Sequence, residues 1–139
     1  MQTPAPPPVD GPGPAGRRGA AIDAHVFDAF VSTVVGPDDD ARSQLIDTYL
    51  SDAGPRLSAL RAGWDLGDIE VVANAAHGLR SGSAVFGALR LAELLQQLEA
   101  LARAGRGELG DLVADVEKEY LDVVVTLERL RQGERTMTG

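Results

Sequence analysis

The sequence predicts an all-α protein: an antiparallel up-down-up-down four-helix bundle with an additional N-terminal helix covering one end. Three observations predict it. Apolar residues recur at three- and four-residue spacing through five segments between Ile22 and Leu130, no segment alternates with period two, and the connections are short and rich in Gly, Pro and Asp. Amphipathic helices on short loops bury their apolar stripes by packing against their neighbours in the chain. The 139 residues, 44% of them hydrophobic, are enough for one domain with a real core.

Residues 1–20 hold six prolines and four glycines and hardly any large apolar group, so they are read as a disordered Pro/Gly-rich tail. Two arginines, Arg17 and Arg18, and Asp10 are its only charges. The bundle is assigned to residues 21–132 and a flexible C-terminal tail to residues 133–139. The first helix starts at Ile22 or Asp23 and runs to Val35, with Ile22, Val26, Phe27, Phe30, Val31 and Val34 inward, and Gly36-Pro37 stops it. Asp38, Asp39 and Asp40 suit the positive end of the next helix. As consecutive residues they point in different directions, which favours capping over a metal site. The second helix spans about Asp40 to Ala62, burying Leu45, Ile46, Tyr49, Leu50, Ala53, Leu57 and Leu60, with a bend expected at Gly54-Pro55. Trp64 and Leu66 are expected to close the bottom of the bundle, with Asp68 as the next N-cap.

The third helix covers Asp68 to Phe86. Ile69, Val72, Ala76, Leu79, Ser83 and Phe86 form its inward stripe, and a second set with Val71, Ala75, Gly78, Gly82 and Val85 is apolar or very small. The polar strip that remains is Glu70, Asn74, His77, Arg80 and Ser81. Around His77 only Arg80 is bulky, and Ala84 lies two turns on, so the imidazole is open to a visitor. Gly78 and Gly82 each cost about 1 kcal/mol relative to alanine inside a helix, and close approach of another backbone or of a partner is the expected compensation. Gly87 ends the helix and turns the chain into the fourth, Ala88 to Ala104, which buries Leu91, Ala92, Leu95, Leu98 and Ala102 and stops at Gly105, with Arg103 near its negative end. The last helix runs from about Leu109 to Arg131 on Leu112 or Val113, Val116, Tyr120, Val123, Leu127 and Leu130.

Ala76, His77, Leu79, Arg80, Ser83, Gly87 and Ala88, followed by Leu91, Leu94 or Leu95, Leu98 and Glu99, resemble the core motif of histidine-containing phosphotransfer (HPt) domains, with the spacing from His77 to Glu99 kept without a gap. The resemblance covers about residues 21 to 132. Two positions depart: Ser81 stands where the family has a small glycine, and Gly82 where a serine usually follows. Ser81 adds a hydroxyl one turn from the ring, able either to hinder a partner or to bond a phosphoryl oxygen. The resemblance implies that His77 is the phosphoacceptor, that Glu99 contacts it across the turn, and that Arg80, in place of the family lysine, offsets phosphoryl charge. Asn74, Ser81, Gly82 and Ala84 are supporting positions. It further implies response-regulator receiver domains and a hybrid sensor histidine kinase as partners, a monomer, and no cofactor in this chain, with magnesium in the partner receiver.

The chemistry of the residues agrees with a carrier rather than a cleft enzyme. The chain has two histidines, no cysteine and no glycine-rich phosphate loop, so no kinase activity of its own is expected. A neutral imidazole near its ordinary pKa of about 6.5 is a competent nucleophile at neutral pH once its other nitrogen is held by an acceptor. A lone helical histidine is more often surface filler, and His25 is read that way. A net charge of −8 argues against nucleic acid. The absence of a long apolar run argues against a membrane span, so a cytoplasmic protein is expected. The expected function is a phosphorelay intermediate that takes a phosphoryl group on His77 from a receiver aspartate and passes it to another receiver. The alternatives are an unphosphorylated helical module that binds a receiver or kinase domain, and a phosphate-accepting domain cut from a chemotaxis-type kinase.

Overall fold

The computed structural model describes residues 20–105 and 107–132, so the proposed tails at 1–20 and 133–139 lie almost wholly outside the described residues. Five helices follow in order: α1 Ala24–Val35, α2 Asp39–Leu66, α3 Ile69–Val85, α4 Leu89–Ala104 and α5 Gly110–Arg131. No strand occurs among the described residues. Three helices open on an aspartate whose carboxylate accepts from the third following amide: Asp23 from Val26 at 3.1 Å, Asp38 from Ala41 at 3.1 Å and Asp68 from Val71 at 3.2 Å. The acidic run at 38–40 thus caps α2, with Asp39 and Asp40 in its first turn.

α3 packs against α2 on one side and α4 on the other, α5 contacts both α2 and α4, and α1 touches α2 and α3. The shared core holds Phe27, Ile46, Leu60, Val72, Leu91, Leu95, Leu98, Val113, Val116, Val123 and Leu127, each essentially without solvent contact. At about 1.5–3 kcal/mol for each fully buried large side chain, this core is the main term holding the helices together. The α3–α4 connection is its tightest corner. Gly87 has φ 86°, and a Cβ there would lie 2.7 Å from the Asp23 carbonyl oxygen. The Asp23 amide donates to the Gly87 carbonyl at 2.7 Å, which fastens the start of α1 to this turn. Phe86 then packs against Phe27, Phe30 and Tyr49 with ring centres 6.3, 5.2 and 4.8 Å away.

Several expectations need correcting. α2 does not stop at Ala62 but continues to Leu66, and it ends at Gly67, whose φ of 75° gives the left-handed cap. Pro55 lies inside this one helix. Leu66 is 82% exposed and closes nothing, whereas Trp64 is half-buried against the start of α5 at Gly110. Val34 is exposed rather than inward, because the N-terminal segment packs on the core through Ala21, Ile22, Phe27, Phe30, Val31 and Val35.

Candidate functional site

His77 lies in the third turn of α3, on the strip that neither α2 nor α4 covers. Its side chain is 60% exposed. Inward residues of the same helix, Val72, Ala76, Leu79 and Ser83, are buried, so the helix cannot roll to hide the ring. Ser83 is held by a polar contact within the core: its hydroxyl donates to the Leu79 carbonyl at 2.8 Å and lies 2.8 Å from the Tyr49 hydroxyl. Since Ser83 has a single hydrogen, the Tyr49 hydroxyl is the donor to it. Burial pushes the Tyr49 phenol up to about 12, against the opposing effect of the Ser83 bond.

Across the Gly87 turn, α4 brings Glu99 to His77, with Oε2 3.0 Å from Nδ1. The Glu99 side chain is only 13% exposed and gathers three cationic or proton-bearing groups. Arg103, one turn further along α4, donates Nε to the same Oε2 at 3.0 Å, and Arg80 places Nη2 3.8 Å from Oε1. Partial burial pushes the Glu99 carboxyl up, but the bonds from Arg103 and His77 and the nearby Arg80 charge outweigh it, and the group is held below the usual range. Glu99 is therefore a carboxylate at neutral pH, an acceptor only, so the hydrogen in the His77 contact sits on Nδ1. In the neutral ring Nε2 then carries the lone pair, directed away from Glu99.

The other sequence-derived positions divide. Asn74 is brought in, its Oδ1 accepting from Arg103 Nη2 at 3.4 Å. Ser81 and Ala84 do not touch the ring's acceptor. With Arg80, Leu89, Glu93 and Gln96 they line an open groove of 680 Å³ between α3 and α4 that runs from the His77 level toward the Gly87 turn. Gly82 faces α2, where a Cβ would meet the Tyr49 ring at 3.6 Å. Gly78 faces α2 as well, and a Cβ there would collide with the Arg56 guanidinium, with Cζ at 3.1 Å. Side chains of α2, not another backbone, thus occupy the space both glycines leave. Two residues were missed: Arg103, treated only as a dipole partner, and Arg56. The Glu99–Arg103 spacing of four on one helix, acidic residue first, was a signal that could have found the former. No group of three or more potential metal ligands gathers among the described residues, and none of their helices is long and apolar enough to cross a membrane.

A helical fold with an outward histidine tethered across a tight turn defines a phosphotransfer class. The Hpt domain family model matches residues 44–133, and the chain belongs to that family. A crystal structure of histidine-containing phosphotransfer protein B from Pseudomonas aeruginosa PAO1 is similar to it, with a TM-score of 0.74 and 28% identity over 84% of this chain and 99% of that one. A search of curated proteins gave no match. Family membership gives the chain a phosphotransfer role in phosphorelays, working with receiver and kinase domains of two-component systems.

Proposed function

We propose that this protein is a phosphorelay intermediate that accepts a phosphoryl group on His77 Nε2 from the aspartate of one receiver domain and passes it to the aspartate of another. The observation that carries this reading is the pairing of an exposed ring with an inner nitrogen tied to Glu99 at 3.0 Å. The Nε2 lone pair attacks phosphorus, the bond between phosphorus and the aspartyl oxygen breaks, and the carboxylate leaves with that electron pair. The proton on Nδ1 stays in place, and Glu99 offsets the positive charge the ring acquires. Arg80, one turn from His77 on α3 and only loosely paired with Glu99 at 3.8 Å, can swing out to lower the charge on the phosphoryl oxygens. Phosphoryl transfer is mostly positioning and charge neutralisation, and the magnesium for it is supplied by the receiver. The contacts of α2, α3, α4 and α5, which close a circuit, support the antiparallel up-down-up-down arrangement, with α1 at the end that carries Gly87.

The groove between α3 and α4 has the exposed Leu89 in its lining, and with the exposed Val85 on the other side of the Gly87 turn it offers a receiver an apolar footing on the His77 side of the bundle. The test is incubation with a labelled phosphorylated receiver. Wild-type chain should take up acid-labile label, and His77→Gln should lose it while unfolding at the same temperature. Label that persists in His77→Gln places the acceptor elsewhere. Tight receiver binding without any label would favour the interaction module, for which Ser81 in place of the family glycine is the supporting feature.

A further inference from the structure

Arg56 stands on the opposite side of His77 from the cations already described. Arg80 and Arg103 both turn toward Glu99, on the α4 side of the ring. Arg56 comes from α2 and crosses α3 at Gly78, the residue next to His77, in the space an alanine Cβ would fill. From the 3.1 Å between that Cβ position and Cζ, the guanidinium lies within about 8 Å of the His77 Cα. An imidazole plus one phosphoryl group spans most of that distance. The ring's two nitrogens face opposite ways, and Nδ1 is committed to Glu99. A phosphoryl group on Nε2 therefore projects away from α4, toward solvent and the α2 side. Asp52, one turn back on α2, accepts from Arg56 Nε at 3.0 Å and steadies the side chain while leaving the two terminal nitrogens for another acceptor.

We infer that Arg56, admitted over α3 by Gly78, is a second phosphoryl-binding cation: its terminal nitrogens engage oxygens of the group on His77 Nε2 from the side opposite Glu99. This rests on His77 being the phosphoacceptor. Gly78 then acquires a reason independent of backbone conformation. It is the opening that lets a cation from the neighbouring helix reach the reacting face, and its cost in helix propensity is offset by that contact.

The test uses phosphoramidate with the full chain and no receiver, which separates Arg56 from any effect on docking. The Nε2–phosphorus bond forms, the phosphorus–nitrogen bond of the donor breaks, and ammonia leaves with its electron pair. Arg56→Gln should slow appearance of phosphohistidine about fivefold to tenfold, the size of one half-exposed charge-assisted hydrogen bond, and shift the ³¹P resonance of the phosphorylated chain. Arg56→Lys should recover part of the rate. Gly78→Ala should slow the reaction without lowering Tm, since alanine favours the helix and the long arginine can swing aside, and it should slow Arg56→Gln no further. Label arriving in Arg56→Gln at the wild-type rate overturns the inference. So does a Gly78→Ala effect of the same size with and without Arg56, because the glycine would then act on its own. Absence of label on His77 in the wild-type chain overturns this inference together with the relay reading, an outcome distinct from label that arrives regardless of Arg56.

Discussion

Replacing Glu99 tests the tether on which the reacting nitrogen depends. Glu99→Ala removes the acceptor that holds Nδ1 at 3.0 Å among the described residues and leaves the ring free to turn and to exchange tautomers. A hydrogen bond to a charged group contributes about 1.5–3 kcal/mol net. Glu99 is largely covered but the imidazole is 60% exposed, which places this bond at or slightly below the lower end of that range, about 1–1.5 kcal/mol. At 1.36 kcal/mol per factor of ten, single-turnover transfer from a saturating phosphorylated receiver should slow about tenfold. Glu99→Gln keeps an oxygen acceptor without the charge and should slow it only about threefold by the same reasoning. Ring ¹⁵N shifts should report loss of the single tautomer in Glu99→Ala. At roughly 5 °C per kcal/mol for a domain of this size, Tm should fall by about 5–8 °C while the bundle stays folded at the assay temperature. A Glu99→Ala chain that is folded, keeps one tautomer and transfers within twofold of wild type would refute the tether. The carboxyl titrates below its ordinary value of 4.5 in the folded chain, so its contribution to stability is present above that pH and is lost as pH falls through the lower folded value. Wild type should therefore lose stability more steeply than Glu99→Gln on acidification below about 4.5.

Ser81→Gly installs the residue the family has beside its histidine; a faster transfer rate identifies Ser81 as steric hindrance, a slower one identifies it as a hydrogen-bond donor to the phosphoryl group, and an unchanged rate removes it from the site. Ser83→Ala leaves the buried Tyr49 hydroxyl without its acceptor and should cost about 1–3 kcal/mol in denaturant unfolding, whereas Tyr49→Phe leaves Ser83 still bonded to the Leu79 carbonyl and should cost about 1. The reverse order would mean that the tyrosine accepts rather than donates. In the native core the Tyr49 phenol is pushed to about 12 from 10.0, so stability should fall as pH rises from 10 toward 12, and Tyr49→Phe should flatten that decline. Gly87→Ala puts a Cβ at φ 86° and 2.7 Å from the Asp23 carbonyl, backbone that cannot swing away. Left-handed strain plus that contact amounts to at least about 2 kcal/mol, or a Tm lower by about 10 °C, and a drop under about 3 °C would show the α1 attachment to be loose.

What could be read from the sequence was whatever a single helix encodes about itself. The inward stripe of α3, the caps at Asp38 and Asp68 and the reversal at Gly87 follow from spacing and from the conformations that aspartate and glycine favour. The length of α2 did not follow, because Pro55 and Gly63 weaken a helix locally and packing against α3 and α5 keeps it going. Gly63 is itself a packing site, since a Cβ there would lie 2.7 Å from Val71 Cγ1. Val34 misled for the related reason that an apolar stripe does not say how far the neighbouring surface extends.

The site divides along the same line. His77, Arg80 and Ser81 share one helix, and Glu99 is reached by counting residues on either side of Gly87, so chain order alone relates them. Arg56 is separated from His77 by the last third of α2, a connection and the first half of α3, and α2 and α3 must pack at one particular rotation before its guanidinium falls on Gly78. That rotation is fixed by Tyr49 against Gly82 and Ser83, one turn along α3. The buried hydroxyl pair and the exposed cation are then two consequences of one packing register. A substitution such as Tyr49→Phe, remote from the histidine, should leave Arg56 in place only if the ring against Gly82, rather than the hydroxyl on Ser83, sets the rotation. The ring carries far more buried area than one hydroxyl, which decides for the ring. Phosphorylation of Tyr49→Phe by phosphoramidate at the wild-type rate is the expected result, and a loss as large as that of Arg56→Gln would assign the register to the hydrogen bond.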